Sequence, residues 1–146
     1  MFFVLVDFFI LPNQDDTSYL QFISTQIRSY YEIHKTLVIY AEDAFCCTID
    51  KLLWFDQEDY FLPHAYIDRK SQEYFGLPVI LVSDASLIKR IGKEILIDLT
   101  TNSMPINFEF KHLVKIVDQE LIRLNSSRHY YKALQQQGFI INVHKL

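Results

Sequence analysis

The sequence predicts an α/β fold built on a mainly parallel sheet. Short runs rich in valine and isoleucine alternate with longer segments at helical spacing. The runs are apolar almost continuously, as expected for strands covered on both faces. Strand-helix-strand order then demands right-handed crossovers. Half of the 146 residues are hydrophobic, with only 3 Gly and 4 Pro and neither a repeat nor a linker-like tract. Residues 1–146 are therefore expected to form one domain large enough for a proper core.

The elements follow in chain order. Phe2 to Val6 reads as a strand buried on both faces. The apolar run around it, Met1 to Leu11, is interrupted by Asp7; it lacks a basic leader and is too short to span a bilayer, so no membrane association is expected. Asp15, Asp16 and Thr17 offer caps for a helix from Ser18 to His34, with Leu20, Ile23, Ile27 and Tyr31 at helical spacing. Thr36 to Tyr40 is the second strand. Asp43 then caps a helix running through Cys46, Ile49, Leu52 and Leu53 to Trp54. An irregular segment follows from Phe55 to Gly76. Pro78 to Val82 and Ile95 to Leu99 are the next strands. Met104-Pro105 marks a loop from which Phe108 and Phe110 return the chain to a strand at His112 to Val117. Asp118 caps a last helix reaching about Gln137, and Gly138 fits the position just past its end. Strand order is not readable.

The last helix is apolar on two sides. Ile122, Ser126, Tyr130, Ala133 and Leu134 share a face suited to the core. Leu121, Leu124, Arg128 and Tyr131 share another. An arginine among leucine and tyrosine can bury its stem and offer its fork to a carboxylate. On the residues alone, an ion pair within the same domain outweighs that use. Charge is uneven: residues 1–110 hold 8 Lys+Arg against 16 Asp+Glu, and residues 111–146 hold 6 against 2, giving −8 and +4. An acidic protein with a basic end is not built to coat nucleic acid, and no direct sequence-specific nucleic-acid binding is expected. A local cationic pocket for an acidic peptide remains open.

Other chemistries find little support. Gly76, Gly92 and Gly138 are isolated, with no G-x-G-x-x-G or G-x-x-x-x-G-K-[ST] cradle, so a nucleotide-binding α/β enzyme or sensor is the minority alternative. The histidines (His34, His64, His112, His129 and His144) show no ligand spacing, and adjacent Cys46 and Cys47 lack the C-x-x-C interval, so neither metal nor cofactor is expected. Two such thiols point to a reducing, cytoplasmic setting. Trp54, Phe61, Pro63 and His64 concentrate aromatic residues in an apparent loop. They either plug the core or form an exposed anchor for a partner.

Three stretches in order carry a family resemblance. Leu52-Leu53-Trp54 with Phe61-Leu62-Pro63-His64, Pro78-Val79 with Leu96-Ile97-Asp98-Leu99, and Arg128-His129-Tyr130-Tyr131-Lys132-Ala133 with Gly138-Phe139 resemble the chi subunit of bacterial DNA polymerase III. The resemblance implies a Rossmann-like three-layer domain without catalysis of its own, within a nucleotidyltransferase complex. It implies two partners. One is the psi subunit, met through Trp54, Phe61, Pro63 and His64, with a helicase as a further candidate at that surface. The other is the acidic C-terminal tail of single-stranded DNA-binding protein, met through Val117, Arg128, Tyr131, Lys132, Gly138 and Phe139. Arg123 and His129 would add attraction for the tail's acidic residues. The chain departs from the family pattern at Tyr130 and Gln135, often arginines there, and at Leu134, often tyrosine.

Overall fold

In the computed structural model of the chain, residues 4–55, 61–67, 72–101 and 111–146 are described. The elements are β1 (Leu5–Ile10), α1 (Asp16–Glu32), β2 (Leu37–Tyr40), α2 (Asp43–Phe55), β3 (His64–Ile67), a 3-10 turn (Gln72–Tyr74), β4 (Val79–Val82), α3 (Ser86–Ile91), β5 (Ile95–Asp98), β6 (His112–Val117), α4 (Leu121–Gln136) and β7 (Ile141–Lys145). The strands form one parallel sheet in the order β3-β4-β2-β5-β6-β1-β7.

Helices cover both faces, so the fold is the three-layer Rossmann-like α/β class. Tyr19, Ile23 and Ile27 of α1 and Cys46, Ile49 and Leu53 of α2 pack on one face, against Leu37, Ile39, Leu81, Ile97 and Val114. Leu87, Ile88 and Ile91 of α3 and Tyr130 and Leu134 of α4 pack on the other, against Val6, Phe8, Val38, Ile80 and Leu96. Neighbouring residues of each strand alternate between these two clusters, and both sets are apolar because both faces are covered. That is why the central strands read as unbroken apolar runs.

Several boundaries differ from the sequence reading. β1 starts three residues after the Phe2–Val6 run does and ends four residues after it, which places Asp7 within the strand. Asp7 is tolerated because both its oxygens are used: His112 Nε2 of β6 is 2.5 Å from Oδ2, and His144 Nε2 of β7 is 2.9 Å from Oδ1. Helix α1 starts and ends two residues earlier than expected, with Asp15, one of the expected caps, accepting from Ser18 N at 2.9 Å. Helix α2 begins at Asp43 itself, whose carboxylate accepts the Tyr66 hydroxyl instead of serving as the cap. The segment expected to be irregular contains the edge strand β3, and α3 and β7 are elements the sequence reading did not identify. Met104, Pro105, Phe108 and Phe110 lie outside the described residues. Among the described residues, no helix is long and apolar enough to cross a membrane.

Candidate functional site

The site is assembled by the crossover from β6 to β7. As β6 ends at Val117, the chain turns through Asp118, a fully buried carboxylate. Arg123 answers it from the first turn of α4. Its Nε and one Nη each donate to Asp118 at 2.8 Å, a second contact reaches Asp16 at 3.2 Å, and the guanidinium lies 4.3 Å from the Tyr19 ring centroid. The hydrogen bonds it donates to Asp118 hold the guanidinium still more firmly protonated than usual. Two expectations are corrected here. Arg123 is committed inside the molecule and cannot attract a partner's charges. Asp118, being occupied, leaves the cap to Glu120, which accepts from Ile122 N at 3.1 Å and Arg123 N at 2.9 Å.

Those two N–H donors hold the Glu120 carboxyl below its ordinary value of 4.5. A lowered folded-state value means that the cap's support is fully present above the ordinary carboxylate range and disappears as pH falls through the lowered value. Amide exchange in the first turn of α4, corrected for intrinsic rates, should therefore accelerate at roughly pH 3 relative to pH 6. The variant Glu120→Gln should lose that acid dependence.

The core face of α4 differs in part from the expected one. Ser127, Tyr130 and Leu134 are buried, whereas Ile122 is 67% exposed. Tyr130 and Leu134 of the expected face keep their place in the core, and the difference lies at the first turn, where Arg123 is held by Asp118 and Ile122 faces outward. This orientation leaves Leu124, Ser127, Arg128, Tyr131, Lys132 and Gln135 over an open recess of about 690 Å³. The sheet supplies the floor and far wall: Phe8 and Ile10 from β1, Val117 from β6, and Val143 and Lys145 from β7. Tyr131 meets Phe8 edge-on, with ring centroids 5.6 Å apart and planes at 87°, a favourable aromatic geometry that fixes the tyrosine wall. The Arg128 side chain has no hydrogen bond or ion pair to any described residue. The recess is thus an apolar slot beside an unengaged guanidinium. Its lining holds three cations and no carboxylate, in a chain whose net charge is −4.

Of the six residues expected for the tail site, Val117, Arg128, Tyr131 and Lys132 come together here. Gly138 and Phe139 do not line the recess. Gly138 adopts φ +89°, and its N–H reaches Gln135 O at 3.1 Å while Phe139 N reaches Leu134 O at 3.2 Å, a Schellman close to the helix. Phe139 then packs on the buried cluster beneath, and the chain reverses into β7. Their part in the site is to return β7 to its place as the far wall. Lys145 and Val143 were missed by sequence reasoning. The alternation of Ile141, Val143 and Lys145 with Asn142 and His144 is the signal that could have found them.

The second group lies at the opposite edge of the sheet. Trp54, at the end of α2, is 51% exposed and Phe61 is 69% exposed, with ring centroids 5.7 Å apart. Pro63 is half-buried. His64 is buried: Nδ1 lies 2.7 Å from Leu62 O, Nε2 lies 3.1 Å from Asp50 Oδ1 but off the line of a hydrogen bond, and Trp54 packs on the ring at 4.8 Å. His64 therefore supports the patch from beneath, while Trp54 and Phe61 form its exposed surface beside the edge strand β3.

Open α/β sheets hold nucleotides at the carboxyl ends of their strands. Here the ends of β5 and β6 are filled by Lys115, which donates to Thr100 O at 2.9 Å and lies 3.7 Å from Asp98 Oδ1. Burial pushes the Lys115 amine down. The space left around Lys115 is about 10 Å³, room for about one water, and above it lies a recess of about 130 Å³ lined by Tyr19, Glu42, Phe45, Leu99, Thr101 and Arg123. The glycines serve elsewhere: Gly92 and Gly138, at positive φ, end helices α3 and α4.

The family model described as DNA polymerase III chi subunit, HolC, matches residues 4–142. No curated protein sequence matches the chain. Among solved structures, the chain is similar to the C-terminal domain of the DEAD-box protein Dbp5, with a TM-score of 0.57 and 9% identity over 96% of this chain and 90% of that one. At that identity the likeness concerns the fold alone.

Proposed function

This chain belongs to the DNA polymerase III chi subunit family, and on that footing we propose that it is a non-catalytic accessory subunit of the holoenzyme. In this reading it bridges the clamp loader, through the psi subunit, to the C-terminal tail of single-stranded DNA-binding protein. The observation that carries the reading is the unengaged Arg128 guanidinium beside the apolar recess. A chain terminus that ends in an aromatic residue and a free carboxylate needs an apolar slot and a cation at its end. Val117, Leu124 and Tyr131 wall the slot, and Arg128 takes the carboxylate, with a fork suited to both oxygens. Lys132, one turn along the same face, adds attraction during encounter. The exposed Trp54 and Phe61 pair supports the psi-facing assignment, since clustered exposed aromatics are typical of interface anchors.

One such pocket supports binding of about −8 kcal/mol, around the micromolar level. Calorimetry with a short acidic peptide ending in Phe tests the reading directly. Arg128→Ala should weaken binding by about 2 kcal/mol or more with no loss of fold, because the side chain is exposed. Added salt should weaken binding of the wild type as well. Equal affinity of the wild type and the variant would remove Arg128 from the mechanism.

A further inference from the structure

Lys132 and Arg128 stand on the helix side of the recess. Lys145 faces them from β7, across the floor made by Ile10 and Val117. Its side chain is exposed and has no hydrogen bond or ion pair to any described residue. It points into the recess because strand alternation assigns Ile141, Val143 and Lys145 to the α4 side. The other side of β7 is anchored, with His144 stacked on Phe9 at 4.6 Å and 16° and bonded to Asp7. The lysine is therefore mounted on a strand held in register at the neighbouring residue.

An occupant with a single terminal carboxylate satisfies Arg128 and leaves the opposite wall unmatched. The recess carries positive charge on both walls and no carboxylate on either. We propose that Lys145 is a specificity-determining residue of this site, pairing with the carboxylate of an acidic side chain that precedes the partner's terminal residue. This rests on the tail-binding reading above and adds a requirement to it. The site measures two separated negative charges, one at the terminus and one along the chain, with the apolar floor between them setting their spacing.

The test is a cycle of two peptides and three variants, read by fluorescence polarisation at low salt. Both peptides end in Phe with a free carboxylate; one has Asp at the preceding positions and the other Asn. Lys145→Gln should weaken the Asp peptide about threefold or more and leave the Asn peptide unchanged, because a solvated charge pair carries an effect of that size. Lys111→Gln makes the same charge change before the start of β6, at the far end of that strand, and should alter neither peptide. If Lys145→Gln behaves like Lys111→Gln while Arg128→Ala still weakens binding of both peptides, the role of Lys145 is overturned and the tail site stands. If the wild type binds neither peptide, the tail-binding reading fails and the inference with it.

Discussion

Arg123→Ala should lower the stability of the chain by about 3 kcal/mol. The cause is the partner left behind. Asp118 is fully buried and receives both of its charged donors from Arg123; without them one backbone donor remains, Glu120 N at 3.2 Å. A buried carboxylate with so little compensation either stays charged at high cost or takes up a proton, and both outcomes weaken the fold. For a domain of this size the corresponding fall in melting temperature is roughly 10 °C. Urea unfolding measures it, and Asp118→Asn introduced into the Arg123→Ala background should restore part of the loss. Arg123→Lys should fall between, since lysine keeps the charge and loses the two-pronged contact. A loss below about 1 kcal/mol for Arg123→Ala would mean that Asp118 does not depend on this pair. Arg128→Ala, five residues along the same helix, is expected to do the reverse: binding falls and the fold is unaffected.

The double variant Trp54→Ala, Phe61→Ala should lose association with the psi subunit by roughly 4 kcal/mol, about a thousandfold. Exposed aromatics at the centre of an interface carry effects of that order, while the fold should lose only about 1 kcal/mol, chiefly from the half of Trp54 that packs on His64. Phe61→Ala alone should leave folding intact and abolish co-purification with psi. Near-normal association of the folded double variant would move the psi contact elsewhere. Unfolding would instead mark the pair as part of the core. His64 is the useful contrast: being buried under Trp54, its replacement should cost stability first and binding only through displacement of the indole.

The strands legible in the sequence are those whose burial leaves no ambiguity. β2, β4, β5 and β6 are covered on both faces, and their β-branched runs state it. β3 is short and lies at the sheet edge, with a mixed burial pattern, so His64-Ala65-Tyr66-Ile67 reads as loop as easily as strand. α3 has six residues, too few for a helical period to declare itself. In the candidate site, the shared face of Leu124, Arg128 and Tyr131 follows from helical spacing alone and is legible. What that face looks onto is not. Placing β7 and β1 beneath α4 requires the strand order, which comes from tertiary packing, and that order brings Lys145 opposite Arg128. The cap was a choice between two carboxylates two residues apart, and only the position of Arg123 decides it.

The place of β1 between β6 and β7 bears on how the chain is made. Asp7 meets His112 and His144 at separations of 105 and 137 residues, so β1 finds neither neighbour until more than a hundred further residues have been made. Such distant pairing is slow to form, and an apolar ribbon awaiting both sides is prone to pair wrongly. The recess under α4, whose floor includes that ribbon, accordingly cannot exist until the whole span from β1 to β7 has been made.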